Sequence, residues 1–73
     1  MSRDETKHDR FVRLAESRVN NAIKSIELIG NLSNLNNYDY TEKEAKKIVS
    51  ALKKTLDNVE KKFMTSSKTN FKL

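Results

Sequence analysis

Along the first half of the chain, Val12, Ala15, Val19, Ala22, Ile26 and Ile29 recur at intervals of 3-4-3-4-3. That spacing is a seam of heptad type, the signature of an amphipathic helix. Phe11 and Ile23 widen the seam, while Arg13, Glu16, Ser17, Asn20, Lys24 and Glu27 fall on the opposite side, where water is expected. The pattern predicts a helix over about residues 3–29. Ser2-Arg3-Asp4-Glu5 has the S-x-x-E form of a capping box and sets the predicted start near Arg3. Gly30, the only glycine in the chain, stands at the C′ position, where a left-handed residue closes a helix at little steric cost.

The same helix carries a second line, Leu14, Arg18, Asn21, Ser25, Leu28 and Leu32, at intervals of 4-3-4-3-4. Its ends are leucine and its middle is polar. One reading makes Leu14 and Leu28 flank residues, with Arg18, Asn21 and Ser25 turned to water. The other makes the line a packing surface whose polar centre sets register or holds a ligand's polar groups, trading stability for specificity.

Residues 30–40 then read as a loop. Asn31, Asn34, Asn36, Asn37, Ser33 and Asp39 supply side chains that cap their own backbone. Leu32 and Leu35 are expected to tuck under the loop end, and Tyr38 and Tyr40 offer amphipathic rings. The stretch exceeds the usual helix–helix connection, and long loops of this kind are enriched in function. Thr41-Glu42-Lys43-Glu44 is a second capping box, followed at once by Ala45, Ile48, Val49, Leu52, Leu56, Val59 and Phe63. A second helix is predicted over about 42–64, with Glu42 and Glu44 at its positive end and Lys61 and Lys62 at its negative end. At about 100° per residue, Lys43, Lys47, Lys54 and Lys61 align in a narrow stripe opposite the apolar seam, interrupted by Ser50 and Asp57. Residues 65–73 read as a flexible basic tail, with Phe71 and Leu73 able to dock on a partner.

These elements make the chain all-α: an antiparallel two-helix hairpin over residues 1–64, with the tail after it. Seventy-three residues lie near the lower limit for a self-sufficient core. Two helices each apolar along one side leave part of that surface wet, so the hairpin is expected to dimerise into a four-helix bundle. No apolar run approaches a membrane span, and M-S-R-D-E-T-K-H has no signal-peptide core, so the expectation is a cytoplasmic protein without a membrane partner.

Charge adds a partner class. Fifteen basic residues against 10 acidic ones give +5 and a pI near 9.6, a balance that favours anionic partners such as nucleic acid. Lysines on flexible stems contact phosphates without reading bases, and no aromatic or arginine is interleaved along the stripe to stack on them. Candidate reactive groups are few. There is no cysteine, His8 is the only histidine, and one glycine cannot build a phosphate-cradling loop. No histidine is placed to activate a serine, and Glu16 and Glu27 lie on the wet face, where acid–base work is not supported. The chain is expected to be non-enzymatic, without metal or cofactor.

The run from Arg13 to Ile48, with R-V-N-N-A-I-K, G-N-L-S-N and N-Y-D-Y-T as its distinctive words, resembles a group of short uncharacterised helical proteins carried by plasmids and phages of Gram-positive bacteria. The resemblance implies an accessory protein of a mobile element and transfers no catalytic or binding residue. The favoured expectation is a regulatory or accessory factor that engages nucleic acid, or a nucleic-acid-bound complex, through Lys43, Lys47, Lys54 and Lys61, with Arg18 and the Asn-rich loop adding selectivity for shape. A second expectation is an inhibitor of a host defence factor, binding protein through the Leu14–Leu28 line and the 31–40 loop. A third is a small-ligand or nucleotide sponge, with Arg18, Asn21 and the tyrosines around a pocket between protomers. For these two, the contact residues are Leu14, Asn21, Ser25, Leu28, Asn34, Asn37, Tyr38 and Tyr40.

Overall fold

The computed structural model describes residues 4–67, and over them the chain is all-helical. α1 runs over Lys7–Gly30, a 3-10 turn over Asn31–Ser33, and α2 over Glu42–Ser67, with no strand among the described residues. Two units follow the helices and divide between Asp39 and Tyr40.

α1 starts at Lys7, four residues later than the Ser2–Glu5 box suggests. Ser2 and Arg3 lie outside the described residues. The working cap is Thr6, extended at φ −74° and ψ 170°. Asp9 N–H donates to Thr6 Oγ1 at 2.9 Å, and Thr6 N–H donates to Asp9 Oδ2 at 3.3 Å, a reciprocal capping box that satisfies two otherwise orphaned donors. Glu5 is occupied elsewhere: its carboxylate accepts from Arg13 Nε at 2.6 Å and from Arg13 Nη2 at 2.9 Å. This two-pronged pair ties the residue before the cap to the second turn of α1. The Arg13 hydrogen bonds hold the Glu5 carboxyl below its ordinary range, and the same bonds push the guanidinium up. His8, in the first turn, stacks on Phe11 with ring centroids 6.3 Å apart.

Gly30 corrects the expected helix end. It is the last residue of α1, at φ −59° and ψ −30°, and no described residue has a positive φ. The chain tightens into the 3-10 turn instead of reversing hand: Asn31 N–H reaches the carbonyls of Glu27 and Leu28 at the helix end, and Asn34 N–H donates to Asn31 O to close the turn. A Cβ at Gly30 would meet no atom within 4 Å. Gly30→Ala therefore removes backbone freedom from the unfolded chain without strain in the folded one. It should stabilise the protein by roughly 0.5–1 kcal/mol, read as a higher urea midpoint at unchanged slope.

α2 begins where the second capping box places it. Thr41 N–H donates to Glu44 Oε1 at 2.9 Å and Glu44 N–H donates to Thr41 Oγ1 at 3.1 Å. The helix continues to Ser67, three residues beyond the expected end, so residues 65–67 are helix and not tail, and Lys61 and Lys62 lie before the last turn. Phe71 and Leu73 lie outside the described residues.

No described residue is buried. Leu14, Ala15 and Ile29 in the first unit, and Tyr40, Ala45 and Leu52 in the second, are half-buried. Seam residues such as Val19 and Ile26 keep about half of their surface, at 54% and 50%. Leu32 and Leu35 do not tuck away; they are 45% and 67% exposed. The loop backbone satisfies itself with short local bonds and leaves these two side chains no pocket among the described residues to fill.

Candidate nucleic-acid interface

α2 is a regular helix from the Thr41 cap onward, so sequence spacing converts directly into surface position. Lys43, Lys47, Lys54 and Lys61 fall within about 40° of one another and extend over about 27 Å of helix axis. All four are exposed. Ser50 and Asp57 interrupt the row, and Asp57 is the one carboxylate within it.

The N-terminal half of this row has more shape than spacing alone conveys. Glu42, Lys43, Lys46, Lys47 and Ser50 line a shallow, open concavity on the helix surface. Lys46 and Lys53 sit about 60–80° from the row and broaden it into a basic face. A test for a narrow stripe passes over them, although the sequence holds the signal. Lys46 Nζ lies 3.7 Å from Glu42 Oε2, with both side chains largely in water. A pair of this kind is worth a few tenths of a kcal/mol and leaves Lys46 free to exchange its partner for a phosphate. The three lysines around it and the openness of the concavity suit contact with a polyanion that keeps its own hydration.

Arg18 belongs to α1 and to the other unit. It shares a line there with Leu14, Asn21, Ser25 and Leu28. Within that line Leu14 is half-buried and the others are exposed, Leu28 at 66%. The loop residues separate by role. Asn34 is its pivot: Asn34 Oδ1 accepts from Asn36 N–H at 2.9 Å, and Asn34 O accepts from Asn37 N–H at 3.1 Å and Tyr38 N–H at 3.0 Å. Its amide oxygen is therefore engaged in holding the turn. Asn37 and Tyr38 are exposed, Tyr38 at 48%, and half-buried Tyr40 begins the second unit.

Among the described residues no group of histidine and carboxylate side chains is placed to hold a metal ion. No described helix is long and apolar enough to cross a membrane. Comparison with models of known protein families, with curated proteins and with solved structures finds no match to the chain in any of the three.

Proposed function

We propose that the chain is a non-enzymatic accessory or regulatory protein of a mobile element, which engages nucleic acid, or a complex already bound to it, through the basic face of α2. The observation that carries this reading is the row Lys43, Lys47, Lys54 and Lys61, all exposed along about 27 Å of one helix face. Duplex DNA presents one charge per about 1.7 Å of its axis, so a row of this length meets several phosphates whatever the base sequence. The net charge of +5 favours the encounter from a distance.

The platform proposed for this face is an antiparallel hairpin that dimerises into a four-helix bundle. The spacing of the two seams supports the hairpin. In such a hairpin, counting outward from the loop, Ile29 would pair with Ala45, Ile26 with Val49, Ala22 with Leu52, Val19 with Leu56, Ala15 with Val59 and Val12 with Phe63. Every seam residue of α1 finds one in α2 at constant register, and each alanine faces a larger side chain, as interdigitated packing requires. With the seams turned inward, the lysine row lies on the outer back of α2.

The test is a titration of labelled DNA and RNA at two salt concentrations. Binding is expected at low salt, with a log–log salt slope of about −4 from four phosphate contacts. Absence of low-salt binding to both polymers sinks the proposal.

A further inference from the structure

The second line of α1 is nearly a palindrome. Leu14 and Leu28 each stand seven residues from Asn21, and Arg18 and Ser25 stand three and four residues from it. All five lie on one uninterrupted helix, Lys7–Gly30, so the symmetry of the sequence is also a symmetry of the surface. A surface of this kind matches its own copy turned end for end. We infer that it is an isologous interface, on which a second copy of this chain docks antiparallel with the two-fold axis passing through Asn21. The inference rests on the dimer of the proposed function and assigns its contact face.

In that pairing Leu14 packs on Leu28 of the second copy, and Leu28 on its Leu14, so the interface closes at both ends with apolar contacts. A two-fold interface demands this reciprocity. The two Asn21 amides meet at the axis, where each offers a donor and an acceptor to the other. A polar pair at the centre of a leucine-flanked line fixes register, because any slip leaves an amide facing leucine. Arg18 lies opposite Ser25 of the second copy, and its guanidinium donates to the hydroxyl. A parallel pairing instead sets Arg18 against Arg18, like charge on like, and aligns the two helix dipoles unfavourably. Charge therefore selects the antiparallel arrangement.

The chain has no cysteine, so introduced thiols report contacts without background. Full-length N21C is expected to convert to a disulfide-linked dimer under mild oxidation. The neighbouring variant N20C, about 100° around the helix, should remain at background. L14C mixed with L28C should cross-link, and L14C alone should not. Circular dichroism of each reduced variant confirms that it is helical before oxidation. If N20C links as readily as N21C, or if L14C links to itself, this interface is overturned. If light scattering still finds a dimer in that case, the dimer survives and only its face is wrong. Scattering at the monomer mass across the accessible concentration range overturns the interface and the bundle together.

Discussion

Replacing Lys43, Lys47, Lys54 and Lys61 together with glutamine should weaken nucleic-acid binding by about three orders of magnitude at about 0.1 M salt. Each lysine that neutralises a phosphate releases close to one condensed counterion, so four of them account for about 3.6 powers of ten between about 1 M and about 0.1 M salt. Single replacements should each lower the log–log salt slope by about one unit, uniformly across sequences, because the row contacts backbone and not base edges. The fold should not feel the change. All four side chains are exposed and none forms part of either capping box, so circular dichroism and the melting temperature should stay close to those of the parent. Electrophoretic or fluorescence titration of the quadruple variant beside the parent measures the effect. Equal affinities would remove α2 as the interface.

Leu52→Asp should abolish the helical signal at micromolar concentration, and the parent protein's melting temperature should rise with its concentration. Isolated helices of this length are marginal in water, because nucleation is costly and most helical stability in proteins comes from packing an apolar face. No described residue is buried, and Leu52 is among the few that are even half-buried. In the proposed bundle the seams meet a further surface, and that contact supplies much of the roughly 5–15 kcal/mol that ordinary folded proteins possess. An aspartate in the middle of the seam carries a charge into that contact at a cost of several kcal/mol, comparable with the whole. Coupling of folding to association makes the midpoint depend on protein concentration. Melts at two concentrations tenfold apart check both parts, and a concentration-independent midpoint with a still-helical Leu52→Asp protein would speak against the bundle.

How far each element was legible follows from the range of the interactions that set it. The Thr41–Glu44 box is visible in four letters because its two bonds span three residues and compete with nothing nearby. The start of α1 is harder. Ser2–Glu5 and Thr6–Asp9 both offer capping chemistry, and such caps differ by only about 1 kcal/mol or less. The contact that draws Glu5 away reaches eight residues to Arg13 and has no local signature. Gly30 illustrates the converse error. Glycine permits a left-handed turn without requiring one, and here the 3-10 turn served the helix end. The lysine row was legible because it follows from helix period alone, while the concavity beside Lys46 and the engagement of the Asn34 amide appear only when backbone and side chains are placed together.

The sequence by itself determined the helical class, the extent of the amphipathic seams, the α2 cap and the line-up of basic residues, since all of these depend on contacts within about one or two turns of the chain. The folded structure decided which of two caps opens α1, where each helix stops, and that Leu32 and Leu35 stay in water. Those outcomes turn on small differences between competing local arrangements, of order 1 kcal/mol, and on side chains eight residues apart that no short pattern can rank.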